Sequence, residues 1–186
     1  MKVINLHRNE KQLIELAVSN NRAAQQKLYT QFSPKMLGVC RQYIKDVQQA
    51  EDIMITAFMK MFTNLNKFQF NGSFEGWVRR IMVNESISYL RVHKNIKFID
   101  DEIFFEERFN NIESQFSVED IQLLIDNLPD GYRMVFNLYA IEGYKHHEIA
   151  TMLGISEGTS KSQLSHARKM LQNQINKSKN FSNGTE

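Results

Sequence analysis

Cysteine occurs once in 186 residues, at Cys40. A lone thiol cannot build a disulfide framework, and it fits a reducing cytosol. Proline occurs twice and glycine eight times. No Val/Ile/Thr run alternates with period two, so strands have no sequence support and an all-α protein is expected. Charge of one sign is also lacking. The formal net charge is +2, so any basic surface must be local. No apolar run approaches membrane-spanning length. The first residues, Met1-Lys-Val-Ile-Asn-Leu-His-Arg8, turn polar too soon for a secretory signal. The expectation is therefore a cytoplasmic chain with no membrane insertion of its own. The marks of catalysis are missing too: no nucleophile elbow, no phosphate-cradling glycine loop and no carboxylate pair suggesting a pocket. His146-His147-Glu148 invites a metal reading, but no His-x3-His ligand pair accompanies it. No catalytic residue, metal or cofactor is expected.

What is present is 42% hydrophobic content, enough for one ordinary core or two small ones. The most informative stretch runs from Tyr144 to Leu171. Ile149, Ala150 and Leu153 give a short helix an apolar stripe. Gly154 supplies a turn where positive φ is cheap, Ile155 can plug the angle, and Ser156 is a good N-cap for a second helix. On that helix Ser160, Leu164, Ala167 and Leu171 share one side. Lys161, Ser162, Ser165, His166 and Lys169 share the other. A basic, short-chained, donor-rich face suits the DNA major groove, where bases present acceptors and phosphates flank them. Periodicity alone fits an ordinary solvated amphipathic helix equally well. The Glu-Ile-Ala…Leu-Gly-Ile-Ser spacing favours a helix-turn-helix.

Upstream, residues 9–20 predict a first helix broken by Asn20 and Asn21. A second starts near Arg22, and Ser33-Pro34 predicts a new helix or a kink. Asp46 caps a helix over residues 47–65, with Val47, Ala50, Met54, Ala57, Phe58, Met61 and Leu65 as its core side. Its opposite side holds Asp52, Ile55, Thr56, Met59 and Thr63. Ile55 and Met59 imply either a partner surface or cover from another helix. Four aromatics then surround Asn71-Gly72, a turn signal, and Ser73 caps a helix from Phe74 to about His93. One face of it carries Trp77, Arg80, Ile81, Asn84, Ser88 and Arg91. Aromatics among arginines and an amide suit unstacked bases on a phosphate chain; an ordinary core is the competing reading. From Ile96 to Phe116 there are six acidic and two basic side chains without periodicity. That predicts a linker, with Ile103-Phe104-Phe105 able to dock. Ser117 with Asp120 opens the next helix, Leu128-Pro-Asp-Gly131 predicts a turn, and another helix runs to Ala140. The tail after Lys177 is polar and expected to fray. The map is two small helical domains, 9–93 and 117–175, joined by an acidic linker at 94–116.

Three blocks in this order resemble the extracytoplasmic-function sigma factors of the sigma-70 family. Asp46-Val-Gln-Gln-Ala-Glu-Asp-Ile…Phe58 is similar to the family's core-polymerase-binding helix. Gly72-Ser-Phe-Glu-Gly-Trp-Val-Arg-Arg-Ile-Met-Val-Asn84 is similar to its −10-reading and melting segment. Leu128-Pro-Asp-Gly-Tyr-Arg…Glu148-Ile-Ala…Gly154-Ile-Ser-Glu-Gly-Thr…Lys161-Ser…Ala167-Arg is similar to its −35-reading domain. The resemblance implies core RNA polymerase, promoter DNA and an anti-sigma factor as partners. It implies polymerase contact through Asp52, Ile55, Thr56 and Met59. It implies promoter opening through Phe68, Trp77, Arg80, Ile81, Asn84 and Arg91, and −35 contact through Lys161, Ser162, Ser165, His166 and Lys169. There are departures. Ile55 and Thr56 stand where polar or acidic residues are frequent, Ser160 replaces an apolar residue, and Gln163 and His166 stand where arginines are common. The alternative is a stand-alone helix-turn-helix regulator, which would need no melting surface.

Overall fold

A computed structural model describes residues 2–93, 96, 98 and 117–182, without the side chains of 2–8, 118, 119 and 177–182. Every regular element among the described residues is helical, as the missing strand pattern implies. The chain divides into two compact units, residues 1–90 and 91–186.

In the first unit, α1 (Lys2–Val18) ends where Asn20 takes a left-handed φ of 62° and Asn21 caps α2 (Arg22–Tyr43) by accepting from the Ala24 amide. Pro34 lies inside α2, so of the two readings at Ser33-Pro34, a new helix or a kink, the separate new helix does not form. An internal proline costs about 3 kcal/mol. The buried stripe Ala24, Leu28, Phe32, Met36, Val39, Cys40 and Tyr43 runs in phase through it, and two such large side chains offset the loss at roughly 1.5–3 kcal/mol each. The Arg41 guanidinium closes the helix end, donating to the carbonyls of Ile44 at 2.8 Å and of Lys45. Cys40 packs beside Met82, and burial pushes its thiol up to about 11, which keeps it protonated.

Helix α3 (Val47–Thr63) is capped by Asp46, whose carboxylate accepts from the Gln49 amide at 2.8 Å. Its buried side is Ala50, Ile53, Met54, Ala57, Phe58 and Met61. Val47, expected in the core, is half exposed in the first turn, and Ile53 takes part instead. A short 3-10 turn, Leu65–Lys67, leads through an irregular loop to α4 (Phe74–His93). Phe74, Val78, Met82, Val83, Ser86, Ile87 and Leu90 bury one side of α4. Lys60 on α3 reaches Glu85 on α4 at 2.6 Å, and the Tyr89 hydroxyl donates to Gln49 at 3.0 Å. These ties join α3 and α4 at the surface, while their buried sides decide which faces stay outside.

In the second unit, α5 (Val118–Asp126) opens on a full capping box between Ser117 and Asp120. α6 (Asp130–Phe136) begins one residue after Pro129. Gly131 is therefore not in a turn but in the first helical turn, fully buried. A β-carbon there would lie 3.0 Å from Gln163 Oε1, 3.4 Å from Phe98 and 3.6 Å from Ile96. That close approach is what the glycine permits. The rest of the acidic segment, including Ile103, Phe104 and Phe105, lies outside the described residues. α6 widens into a π-helical stretch, Asn137–Ile141, where the sequence predicts a continuous α-helix to Ala140. Met134, Val135 and Leu138 are buried as predicted. α7 (His146–Leu153) and α8 (Glu157–Ser182) complete the unit. The backbone of α8 stays helical to Ser182, beyond the expected fraying point.

Replacing Asp46 by alanine should lower the stability of the first unit by about 1 kcal/mol, because the Gln49 amide loses its acceptor. Urea denaturation checks this. An unchanged midpoint would show that the carboxylate does not hold the start of α3.

Candidate nucleic-acid interfaces

Three faces are built from these elements. On α3, one side is committed to the core, and Asp52, Ile55, Thr56, Met59 and Thr63 are outside it. Met59 is 67% exposed and Ile55 46%. Among the described residues no helix covers them. An exposed Ile and Met beside a carboxylate give an apolar centre with a charged edge.

On α4, Arg80, Asn84, Ser88 and Arg91 lie away from the core, and Trp77 and Ile81 are half-buried. The half-burial has a cause. Trp77 rests on Phe74 at 5.9 Å between ring centroids and on Phe68 at 5.4 Å, and Phe68 meets Phe74 at 5.2 Å. Phe74 is 1% exposed and meets the α2 residue Phe32 at 5.4 Å. The competing readings therefore divide by residue: Phe74 belongs to the core, while Phe68 and Trp77 keep part of their rings outside. Phe70 also belongs to this cluster, edge-on to Phe68 at 4.9 Å, 42% exposed, with a left-handed φ of 58°. Its sequence neighbours signal a loop, but nothing in sequence marks a non-glycine residue for that backbone.

In the second unit, Gly154 turns the chain at φ 68°, ψ 38°. Ser156 accepts from the Thr159 amide at 2.9 Å and starts α8. Lys145 and Glu148 brace the start of α7, with the Glu148 carboxylate accepting from the Lys145 amide at 2.8 Å. Ile149, Leu153, Leu164 and Ala167 are buried between the two helices. This is a helix-turn-helix. Lys161 and Lys169 are exposed, and Ser162, Ser165 and His166 half-buried. Lys161 pairs with Glu157 one turn earlier at 2.8 Å, and that ammonium holds the Glu157 carboxyl below its usual range. His166 stacks on Tyr132 of α6, with ring centroids 5.4 Å apart, so it is anchored at the edge of the face. Gln163, considered among positions where arginines are common, is fully buried beside Gly131 and cannot present a side chain to DNA.

Ser160 is also fully buried, and its hydroxyl lies 3.0 Å from His146 Nδ1 at the start of α7. The serine therefore does not merely loosen an apolar contact; it links the two helices. His146 in turn stacks on Tyr139 at 4.6 Å, and the Arg168 guanidinium lies 5.6 Å from the Tyr139 ring centre. Arg133 is 1% exposed and paired with Asp130 at 2.7 Å. Among the described residues no three His, Cys, Asp or Glu side chains gather as a metal site would require, and no helix is long and apolar enough to cross a membrane.

An all-helical chain with an exposed aromatic–amide face in one unit and a helix-turn-helix in the other has the attributes of a promoter-recognition protein. Comparison with known proteins gives the class. Residues 28–96 match the family described as Sigma-70 region 2, and residues 118–171 match Sigma-70, region 4. The ECF RNA polymerase sigma factor SigW of Bacillus subtilis is 30% identical over 158 residues, 77% of this chain and 84% of that one. The RNA polymerase sigma-H factor of Pseudomonas aeruginosa is 27% identical over 176 residues, 87% and 91% of the two chains. The sigma factor RpoE from Bartonella quintana, solved in complex with the anti-sigma factor NepR, superposes with a TM-score of 0.52 at 21% identity, covering 81% of this chain and 96% of that one; that likeness shows the fold. The chain belongs to the extracytoplasmic-function sigma factors of the sigma-70 family. It is an alternative sigma factor that binds core RNA polymerase and directs transcription initiation, and the stand-alone regulator is not favoured.

Ser160→Ala should cost about 1 kcal/mol of stability in the second unit, the value of one hydrogen bond. It should also weaken −35 DNA binding without changing which sequences are preferred, because it loosens the angle of α8 and touches no base. Thermal melting beside a binding titration measures both, and a changed preference would mean that residue 160 reads DNA.

Proposed function

We propose that the three faces divide the work of initiation. The observation that carries this is the α4 face, where an exposed amide, Asn84, follows the half-exposed Trp77 and Ile81 on a rigid helix. A base leaving the duplex has a flat apolar face and a polar edge. Phe68 and Ile81 cover the face, and the Asn84 amide offers the edge both a donor and an acceptor. Trp77 stacks at the junction where the duplex loses a neighbour. Arg80 and Arg91 hold phosphates and read no sequence. The unstacking cost of a few kcal/mol is offset by stacking and edge hydrogen bonds. In the second unit, Lys161, Ser162 and Ser165 meet base edges of the −35 element, His166 borders them, and Lys169 meets phosphate. Lys161 leaves Glu157 to do so; exposed pairs of this kind contribute little, so the exchange is easy. The α3 face of Asp52, Ile55, Thr56 and Met59 docks on core polymerase.

The chain thus works in two parts, residues 9–93 and 117–175, joined by an acidic linker. It carries no catalysis of its own, since RNA synthesis belongs to the polymerase. It acts in the cytoplasm, and an anti-sigma factor restrains it, as the neighbouring complex with NepR suggests by analogy.

Asn84→Ala should leave polymerase and closed-promoter binding near wild type, yet impair open-complex formation and −10 discrimination. Permanganate reactivity of unpaired thymines, measured beside a binding assay on promoters mapped with reconstituted polymerase, reads this out. Normal reactivity in both Asn84→Ala and Trp77→Ala would remove the melting role from this face. For the docking face, Asp52→Arg combined with Met59→Glu should abolish co-purification with core polymerase while circular dichroism stays helical. Retention at wild-type level would exclude the surface.

A further inference from the structure

The Phe68–Trp77 cluster has a flank that the Asn84 face does not use. There Phe70 holds a left-handed backbone at φ 58°, a conformation unfavourable for a bulky side chain, and leaves its ring 42% exposed. Partial burial alone does little to offset that strain. The ring is steadied edge-on by Phe68 at 4.9 Å, and the Lys11 ammonium lies over it, 5.4 Å from the ring centre. Lys11 is an exposed residue of α1, a helix that precedes the stretch matched by the region 2 family, 28–96. It also makes a long ion pair, 3.9 Å to Glu15 on the same exposed helix surface. A strained, half-open aromatic with a long-stemmed cation above it joins a stacking surface to a phosphate-seeking charge.

We propose that Lys11 and Phe70 form a second station for single-stranded DNA beside the Trp77–Asn84 face: Phe70 stacks one unpaired base, and Lys11 takes the adjoining phosphate. The proposal rests on the melting role assigned to α4. In the free protein Lys11 occupies the ring. A base–aromatic stack is worth more than an exposed cation–π contact, so an arriving base displaces the ammonium. The four-carbon stem lets Lys11 swing aside and remain beside the same ring, where the base's own phosphate comes within its range. The station is sequence-tolerant, because every base has a π-face and Lys11 carries no edge readout. It therefore contributes to strand capture and not to −10 discrimination, unlike Asn84.

The test uses holoenzyme on a mapped promoter, comparing wild type with Phe70→Leu, Phe70→Gly, Phe70→Trp, Lys11→Met and Lys11→Arg. Closed binding, permanganate reactivity and the salt dependence of opening are measured for each. Phe70→Leu should reduce opening roughly tenfold with unchanged closed binding. Phe70→Gly should do the same although it relieves the left-handed backbone, which separates loss of the ring from loss of loop geometry. Phe70→Trp should open as wild type. Lys11→Met should lower the slope of log opening against log salt by about 0.7, the single-strand value for one phosphate, and Lys11→Arg should restore it. Near-normal opening in Phe70→Leu, or an unchanged slope in Lys11→Met, overturns the station. Trp77→Ala run alongside separates the two readings: defective opening there with normal Phe70→Leu removes this station alone, and normal opening in both removes the melting face as well. Equal losses in closed and open binding would reduce Lys11 and Phe70 to parts of the scaffold and also overturn the proposal.

Discussion

Phe74 joins the core of the first unit to the partly exposed rings of Phe68 and Trp77. Its ring is almost wholly buried against Phe32 of α2, and the same ring supports Phe68 and Trp77. A tryptophan on an exposed helix face would otherwise choose among rotamers and lose that freedom on meeting DNA. Here the ordering cost is met during folding, so less of it remains at binding. The loop 68–73 gains its shape the same way, since both of its phenylalanines are held through rings that lead back to Phe74. The proposed melting face is thus an extension of the core, held by one apolar contact chain.

The second unit reaches comparable rigidity by polar means. α7 and α8 share the apolar contacts of Ile149, Leu153, Leu164 and Ala167, and between them lies the His146–Ser160 hydrogen bond. A hydrogen bond is directional where apolar contact is not, so it restricts the rotation of α8 about its own axis. That rotation decides which side chains face a groove. Tyr139 stacks on His146, and it stands in the π-helical stretch after α6. The wider turn there redirects the chain toward α7, and π-turns recur at working sites.

Much of this was legible in the sequence, and the misses have physical reasons. Caps such as Asp46, Ser117 and Ser156 are local chemistry, and each one caps as its residue type implies. The buried stripes of α3 and α4 are visible in the period of 3.6, because amphipathic helices have little freedom to choose a side. At Pro34 the local rule for a new helix competes with a long-range sum, and the seven buried residues of α2 outweigh one missing amide. Gly131 resembles a turn residue because its reason for being glycine is a close approach from Gln163 and Phe98, distant in sequence. Ser160 looks like a defect because its partner, His146, lies fourteen residues away on another helix. Phe70 carries no warning at all: a strained φ on an aromatic is imposed by tertiary packing, which local propensity does not encode.

The two units therefore place different demands on their exposed residues. On α8 the side chains that face outward are short or flexible, and Lys161 rests against Glu157 in the free state. In the proposed role such a face adapts to a duplex whose geometry is already fixed, and a weak intrahelical pair keeps its cation oriented with little effect on stability. On α4 the proposed partner has no fixed geometry, since an unpaired strand must be caught in one of many conformations. Binding a flexible strand with a flexible site would add both entropy losses to the complex. A rigid aromatic platform removes the protein's share. On that proposal a strand-facing surface is built of rings packed on a core, and a duplex-facing one of lysines and serines on an otherwise ordinary helix. The sign of the charge obeys the same division. In their proposed role Arg80 and Arg91 need only supply attraction along the backbone. With a formal net charge of +2, the attraction in this proposal comes from local cations and not from the field of the whole molecule.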